Sequence, residues 1–243
     1  MTTPLIKIAT WNVDQPASGP KARIKHRIMA QINTINADLW VLTETTEAIK
    51  LYATHPHSFA TQSKQSRPNR PYHSAAIWSR WPLTDVPTYD ARQAVCGLIE
   101  TPVGSLLVYA TIIPYRFAGV GRQENSLKLW ERHREALVGQ GQDWAKLRAA
   151  YPNIPLCVAG DFNQTLCYDR WYPKDVVASL TEALEKNTLS CLTKGQGRID
   201  HICMSHGWAQ QGELGTWPAK NAEGNSMSDR GGVWVAAQFN NEG

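Results

Sequence analysis

The sequence predicts an α/β protein in which mixed β-sheets are covered by helices. The chain opens with an apolar run, a helical repeat of isoleucines and a second apolar run, which is a β-α-β pattern. Beyond this opening, many short apolar or β-branched runs are bounded by turn residues, and only two more helical stretches occur. Many strands with a few long helices favour sheets that carry helices on their outer faces.

The strand candidates share an apolar or β-branched core and end at Pro, Gly, Asn or Asp. They are Leu5–Trp11, Asp38–Glu44, Ala75–Ser79, Ala94–Glu100, Ser105–Thr111, Pro155–Gly160, Arg198–Met204 and Val233–Phe239. Between the fourth and fifth of them, Pro102-Val103-Gly104 predicts a hairpin turn.

Three helices are predicted from apolar residues at helical spacing. They cover Lys21–Asn36, Gln123–Ala150 and Lys174–Lys186. The pair Gly139 and Gly141 predicts a break inside the second helix, because glycine is a poor helix former.

Composition indicates a folded globular protein, since 42% of the 243 residues are hydrophobic and 19% are charged. No internal repeat, low-complexity tract, Gly/Ser linker or composition shift divides the chain. We therefore expect a single domain over residues 1–243.

Cysteine usage and hydropathy favour a cytoplasmic protein. The five cysteines are odd in number and contain no CxxC pair, which indicates reduced thiols. The sequence shows no secretory signal and no run near the roughly 20 apolar residues of a membrane span, so no membrane association is expected. The net charge of +4 is compatible with a nucleic acid but too small to argue for one alone. The sequence identifies no protein partner.

Five short polar signatures stand at the ends of apolar runs. They are Trp11-Asn12-Val13-Asp14, Thr43-Glu44, Gly160-Asp161-Phe162-Asn163, Arg198-Ile199-Asp200-His201 and Ser228-Asp229-Arg230. Each alone is weak, because Asp and Asn are common turn residues and an acid that ends a strand is often only solvated. Carboxylates and amides from several distant strand ends are nevertheless what divalent-metal phosphate-ester hydrolysis requires.

Strand periodicity adds an expectation for individual side chains. Asp161 and Asn163 should project to one side while Phe162 turns into the core. Asp200 and His201 should lie on opposite faces of a strand. Asp200 then faces the cleft of the other acids, and His201 is expected to be a hydrogen-bonded core histidine.

In this order, the signatures resemble those of the endonuclease/exonuclease/phosphatase superfamily over nearly the whole chain, from Trp11 to Asp229. That group includes pancreatic-type DNases, apurinic/apyrimidinic endonucleases, neutral sphingomyelinases and inositol-polyphosphate 5-phosphatases. The resemblance implies a four-layered α/β sandwich, with two packed mixed β-sheets flanked by helices. It also implies a phosphoric ester hydrolase that depends on Mg²⁺ or Mn²⁺.

The resemblance assigns a metal role to three residues. Glu44 matches the principal metal-ligating glutamate of the family. Asn12 matches the amide that helps to hold the metal and the phosphate, so it is also a substrate-binding candidate. Asp229 matches the aspartate that directly precedes the family's final histidine and lies near the metal.

Four further residues receive catalytic roles by the same resemblance. Asp161 and Asn163 match the pair that positions the nucleophilic water and stabilises the transition state, and Asn163 is also a substrate-binding candidate. Asp200 matches the carboxylate that orients the final histidine. Arg230 occupies the place of that histidine.

Two departures from the family pattern bear on activity. Arginine stays protonated near pH 7, so Arg230 cannot act as a general base, although it can donate two hydrogen bonds to phosphate or pair with Asp200. Relatives often carry His or Tyr near the position of Ile112, which cannot contact phosphate in that way. Loss of an acid-base residue removes a factor of about 10² to 10⁴ in rate, so slow metal-dependent hydrolysis is expected.

Arg122 and His133 are further candidates for substrate binding. Arg122 precedes the second predicted helix and belongs to one of the basic groups that could line the cleft. His133 lies on that helix and is a possible substitute acid or base, with an ordinary surface position as the alternative reading.

Three functions follow, and a nuclease is favoured among them. The first is a Mg²⁺- or Mn²⁺-dependent phosphodiesterase that acts on nucleic acid. The second is a phosphomonoesterase for a small phosphate, although no clear basic motif of the inositol-phosphate enzymes is present. The third is a catalytically disabled module that binds nucleic acid or phosphate, which Arg230 and Ile112 favour.

Overall fold

The computed structural model describes residues 5–16, 22–67, 70–121, 126–168, 171–194, 198–205, 208–209 and 213–239. In chain order, the elements are β1 (Ile6–Asn12), α1 (Ala22–Ile35), β2 (Leu39–Thr45), β3 (His57–Ala60), β4 (Lys64–Arg67), β5 (Arg70–Ser79), β6 (Leu83–Val86), β7 (Ala94–Thr101), β8 (Gly104–Ile112), α2 (Glu131–Ala150), β9 (Leu156–Asp161), α3 (Lys174–Lys186), β10 (Leu189–Cys191), β11 (Asp200–Ser205), β12 (Trp208–Ala209), β13 (Leu214–Thr216) and β14 (Val233–Phe239).

The first sheet contains eight strands in the order β12-β14-β1-β2-β5-β3, with β13 paired to β14 and β4 paired to β5. Strands β1 and β2 run parallel and are joined through α1. Strand β14 runs antiparallel to β1 on the other side. Polar residues at the end of β1, at the end of β2 and just before β14 therefore share one edge of this sheet.

The second sheet has six strands in the order β10-β11-β9-β8-β7-β6. Here β8 and β9 run parallel and are joined through α2, whereas β11 returns antiparallel to β9. The end of β9 and the start of β11 thus lie side by side. In this register Asp200 is directly opposite Asp161.

The two mixed sheets pack face to face through a shared apolar cluster. Alternate residues such as Ile8, Val41, Val108 and Ile202 point from both sheets into this cluster. Helix α1 covers the outer face of the first sheet with Ile28 and Ile32, which the isoleucine spacing predicts.

Helices α2 and α3 cover the outer face of the second sheet through Leu137, Trp144, Leu180 and Leu184. The order of layers is therefore helix, sheet, sheet, helices, and the predicted α/β sandwich is confirmed.

The predicted elements agree with the observed ones except in detail. All eight predicted strands and all three helices are present, and α3 and β14 have the predicted bounds. The predicted break in α2 is wrong, because the helix runs unbroken through Gly139 and Gly141. It also begins at Glu131, later than predicted. Six short strands were not predicted: β3, β4, β6, β10, β12 and β13.

Within the described ranges, no helix combines the length and the apolar character that a membrane span needs.

Candidate functional site

The polar signatures meet where the two sheets pack against each other. Asn12 ends β1 and Asp161 ends β9, and a hydrogen bond of 2.9 Å joins Asn12 Nδ2 to Asp161 Oδ2 across the sheets. The same amide nitrogen donates to Glu44 Oε1 at 2.9 Å. One buried amide thus holds a carboxylate from each sheet, although the three residues are far apart in the chain.

The orientation of the Asn12 amide is fixed by its surroundings. Its Oδ1 accepts a hydrogen bond from the backbone N–H of Asp14 at 2.9 Å, so Nδ2 must face the two carboxylates. The Ser228 hydroxyl donates to the Asn12 backbone carbonyl at 2.6 Å. This contact ties the end of β1 to the segment before β14, which carries Asp229 and Arg230.

Glu44 reaches the site through an unusual backbone conformation. Strand alternation from Trp40 and Leu42 would place its side chain on the helix-covered face of the sheet. Its φ of +48° interrupts that alternation, and the half-buried carboxylate meets Asn12 instead. The Gln15 side chain donates to Glu44 Oε2 at 2.7 Å, a contact that no sequence signature indicated.

Arg230 occupies the space between the acids. Its guanidinium lies 3.3 Å from Asp161 Oδ2, 4.0 Å from Asp200 Oδ2 and 3.3 Å from Asp229 Oδ1. Asp161 and Asp200 are opposite each other in the ladder, where two like charges repel. The arginine therefore compensates a buried acidic pair, in addition to standing at the end of the last signature.

Burial and charge set the protonation of this group. Burial raises the pKa of Asp161, although Arg230 and the hydrogen bond from Asn12 oppose that effect. Burial and then the charge of Asp161 raise the pKa of Asp200 well above its usual range. Burial alone would lower the pKa of Arg230, but the three carboxylates outweigh it and raise the pKa, so the guanidinium stays charged.

The backbone around Arg230 is held by close packing. The Trp11 indole N–H donates to the Arg230 carbonyl at 2.9 Å. At Gly231, an added Cβ would lie 1.8 Å from the Trp217 carbonyl oxygen, so only glycine fits there. The close approach of the Trp217 backbone therefore fixes the chain immediately after Arg230.

An open cavity of about 480 Å³ borders these residues, lined by Asn163, Arg198, Ile199, Asp200, Asp229, Arg230 and Gly231. Asn163 donates its backbone N–H to Asp161 Oδ1 at 2.9 Å and its side-chain amide to the Ile113 carbonyl at 2.8 Å. Arg198 was not named as a site residue from the sequence, although it begins one of the five signatures. With Arg230 it gives the cavity two guanidinium groups, which suit phosphate oxygens.

The residues fit a divalent cation in part. Across the described stretches, no group of three or more His, Cys, Asp or Glu side chains is arranged to hold a metal. Glu44 supplies the hard oxygen ligands that Mg²⁺ and Mn²⁺ prefer, and within the same stretches no salt bridge neutralises it. Asn12, however, presents its nitrogen to Glu44, so its amide would have to turn over to act as a ligand. Asp229 is more than half exposed and pairs with Arg230.

One predicted substrate contact is not brought into this site. His133 is fully buried, with Nδ1 2.8 Å from the Pro114 carbonyl and Nε2 2.6 Å from Gln164 Oε1, so it does not face the open cavity. The alternative of a surface position is also wrong. Arg122 lies outside the described residues.

His201 points away from the cleft, as its strand position predicts. It is buried, and its ring contacts Thr193 Oγ1 at 3.0 Å and the Gln164 carbonyl at 3.1 Å. The sequence-based expectation of a hydrogen-bonded core histidine agrees with this placement.

Solved structures share this fold at low sequence identity. A protein described as an endonuclease/exonuclease/phosphatase from Beutenbergia cavernae is 16% identical with a TM-score of 0.68, over 98% of this chain and 72% of that one. The human Nocturnin catalytic domain is 18% identical with a TM-score of 0.65, over 97% and 94% of the two chains. The endonuclease domain of TRAS1, a telomere-specific non-LTR retrotransposon, is 12% identical with a TM-score of 0.61, over 98% and 100%.

No curated protein matches the chain in a sequence comparison. A family model does match, over residues 9–229, and these residues include every signature up to Asp229. Because the match covers most of the sequence, the chain belongs to the Endonuclease/Exonuclease/phosphatase family.

Proposed function

We propose that this protein is a divalent-metal-dependent phosphodiesterase that acts on nucleic acid. Membership in the family supports a phosphoesterase-type hydrolase. The finer proposal depends on how the side chains meet at the edge between the sheets. It is carried by one observation: the Asn12 amide joins Glu44 and Asp161, and Arg230 contacts the same Asp161 oxygen.

The proposed chemistry assigns a separate task to each side chain. A divalent ion held by Glu44 would polarise the phosphate and stabilise the charge that develops on its oxygens. Asp161 has a buried carboxylate that can accept a proton from a water molecule and orient that water for attack. Arg230 and Arg198 can donate hydrogen bonds to the non-bridging phosphate oxygens.

Arg230 has a second effect on this chemistry. Its guanidinium carries a fixed positive charge within 3.3 Å of Asp161, which favours the ionised carboxylate despite burial. It cannot take a proton itself. We therefore expect hydrolysis without the family's histidine to be slower by about 10² to 10⁴, the usual contribution of an acid-base group.

Exposed aromatic side chains near the site favour a nucleic acid over a small phosphate. Tyr115 and Phe117 are more than half exposed and stand on the segment that follows Ile113, the residue whose carbonyl binds Asn163. Arg116 lies between them, with its guanidinium 5.1 Å from the Phe117 ring. Exposed rings beside cations are typical of surfaces on which nucleobases stack.

A substrate panel tests the proposal. Hydrolysis would be measured with Mg²⁺ and then Mn²⁺ on plasmid DNA, single-stranded DNA, abasic duplex, RNA, sphingomyelin vesicles and p-nitrophenyl phosphate. Asp161→Ala removes the buried carboxylate, and Glu182→Gln, on the exposed surface of α3, is the matched control. We expect cleavage of a nucleic acid that disappears with Asp161→Ala and persists with Glu182→Gln. Cleavage of only the vesicles or the monoester would overturn the substrate assignment.

A binding module without turnover is the second candidate, and the Arg230–Asp161 contact favours it. If the wild-type protein cleaves nothing, Arg230→His distinguishes the outcomes. Restored cleavage would identify a disabled enzyme, and continued inactivity together with nucleic-acid binding would identify a binding module.

A further inference from the structure

A second reactive group lies on the outer face of the six-stranded sheet, away from the cleft. Cys191 on β10 is directly opposite Cys203 on the antiparallel strand β11. The backbone N–H of Leu192 donates to the carbonyl of Ile202 at 2.9 Å, which marks the neighbouring pair as hydrogen-bonded. Hydrogen-bonded and non-hydrogen-bonded pairs alternate along an antiparallel ladder. The two cysteines therefore form a non-hydrogen-bonded pair.

This register allows a disulfide. Opposite residues of a non-hydrogen-bonded pair have Cα atoms about 4.5 Å apart and side chains closer than in the other kind of pair. Disulfides need Cα atoms at roughly 4.4–6.8 Å, so the backbone already meets the requirement. Both side chains are on the same face, in or against the apolar cluster under α2 and α3.

The two thiols have different surroundings. Cys203 is fully buried, whereas Cys191 is only partly buried and is the more accessible of the two. Cys191 Sγ lies 3.6 Å from His201 Nδ1 and 3.4 Å from Thr193 Oγ1. This asymmetry assigns the role of nucleophile to Cys191 and the role of resolving thiol to Cys203.

The tautomer of His201 supports the same assignment. Its Nε2 faces the Gln164 carbonyl at 3.1 Å and must carry a proton to make that hydrogen bond. Nδ1 is then free of a proton in the neutral ring and can take one from Cys191. A hydrogen bond from the Cys203 thiol, together with His201, lowers the pKa of Cys191 against the effect of burial, and burial raises the pKa of Cys203.

We propose that Cys191 and Cys203 form a peroxide-reactive dithiol. The Cys191 thiolate attacks one peroxide oxygen, the O–O bond breaks, and the released oxygen leaves as water with the proton that His201 holds. Cys191 is then a sulfenic acid. The Cys203 sulfur attacks the Cys191 sulfur, the S–O bond breaks, and a second water leaves. The two thiols lose two electrons to hydrogen peroxide, and a cross-strand disulfide results.

The test uses the full chain with equimolar hydrogen peroxide under native conditions. After blocking of the remaining free thiols, peptide mass spectrometry locates any disulfide. We expect a Cys191–Cys203 link and the loss of two hydrogen atoms from the intact mass. Cys167, the exposed cysteine, provides the internal comparison and should react at least about tenfold more slowly. All five thiols remaining free, or a link that involves Cys167, would overturn the proposal.

Two variants separate the two roles. Cys203→Ser should accumulate a sulfenic acid at Cys191 that dimedone traps, because no resolving thiol is present. Cys191→Ser should lose rapid peroxide consumption, and Cys167→Ser should keep it. Equal peroxide consumption by Cys191→Ser and the wild-type protein would contradict the assignment of Cys191 as the nucleophile. The wild-type peptide map decides the proposal even if a variant fails to fold.

Discussion

At the scale of single residues, Arg230 does the most to distinguish this site. The family pattern places a histidine there, and the sequence alone left an ion pair with Asp200 and a phosphate contact as alternatives. In the structure, the nearest carboxylate oxygens belong to Asp161 and Asp229 at 3.3 Å, with Asp200 at 4.0 Å. The sequence could not show this, because the distance between two buried acids depends on strand register.

Arg230→Met should destabilise the fold. The variant leaves Asp161 and Asp200 buried without their cation, and breaking a buried pair in this way costs about 3 kcal/mol of unfolding free energy. Urea unfolding measures this loss of unfolding free energy. Arg132→Met is the control, because Arg132 is about half exposed and pairs with the equally exposed Glu135, so a change within about 0.5 kcal/mol is expected. Equal stability of Arg230→Met and the wild-type protein would show that the guanidinium does not compensate the acids.

Asn12→Asp should make stability depend on Mg²⁺. The change is nearly isosteric, but it replaces a donor that faces Glu44 and Asp161 with a third carboxylate in a buried position. Without metal we expect a loss of about 1–3 kcal/mol. A divalent ion relieves the repulsion, so the melting temperature should rise more with Mg²⁺ than it does for the wild-type protein. Calorimetry with Mg²⁺ and with EDTA measures the loss of stability and the rise in melting temperature. An equal rise with Mg²⁺ in the variant and the wild-type protein would argue against a cation at Glu44.

At the scale of elements, the parallel pair β8–β9 sets the position of Asp161. Gly160 has φ +139° and is opposite Thr111, and a Cβ there would lie 1.9 Å from the Thr111 carbonyl oxygen. Only glycine lets the two backbones approach so closely immediately before the catalytic candidate. The sequence shows the glycine, but the need for a glycine at this position becomes clear only from the pairing of β9 with β8.

Gly160→Ala should therefore separate the strands and displace Asp161. We expect a loss of more than about 3 kcal/mol of unfolding free energy, since both the contact and the backbone angle oppose a side chain. Gly141→Ala is the control: it lies inside α2, where an added Cβ would be 3.8 Å from the Ala183 side chain, an ordinary contact distance. That variant should gain about 0.5–1 kcal/mol. A Gly160→Ala protein as stable as the wild type would contradict the pairing of β8 with β9 that places Thr111 opposite Gly160.

The elements also show where sequence patterns reach their limit. Long amphipathic segments such as α3 are predicted to the residue, because their burial repeats over several turns. The predicted break in α2 is wrong, since Gly139 packs tightly against the Tyr89 ring and packing outweighs helix propensity. Strands such as β10, with three residues, carry too few alternations to be recognised.

At the scale of the whole molecule, the site exists because two sheets meet at one edge. Asn12 and Glu44 belong to one sheet, and Asp161 and Asp200 to the other. The sequence predicted these residues through the order of the signatures, and the parallel pairing explains why strand ends converge. Two features could not be predicted, because no periodic pattern encodes them: the positive φ of Glu44 and the hydrogen bond that the Gln15 side chain donates to Glu44.

The stability of the whole fold should also fall in mild acid, in part through His55. This buried ring has Nε2 2.9 Å from the Ala37 carbonyl, and burial lowers its pKa. The unfolded chain, with a histidine pKa of about 6.5, then binds a proton that the folded protein resists. Stability from this group is present above pH 6.5 and is lost as the pH falls below it.

His55→Gln should reduce the slope of unfolding free energy against pH between about pH 6.5 and 5. Urea unfolding at several pH values measures the slope. His26→Gln, at an exposed position on α1, is the matched control substitution. A His55→Gln slope equal to that of the wild-type protein would show that His55 does not resist protonation in the folded state.

The most direct test of the central claim is phosphodiester hydrolysis by wild-type protein, Asp161→Asn and Glu182→Gln, with Mn²⁺ and with EDTA. Asp161→Asn keeps the shape of the buried side chain and removes its charge. The proposal predicts Mn²⁺-dependent cleavage of at least one nucleic acid of the substrate panel by the wild-type protein and Glu182→Gln. It predicts a loss of at least about 10²-fold with Asp161→Asn, and no cleavage with EDTA. Cleavage that survives Asp161→Asn, or that proceeds equally in EDTA, would contradict a metal-dependent hydrolase centred on Asp161.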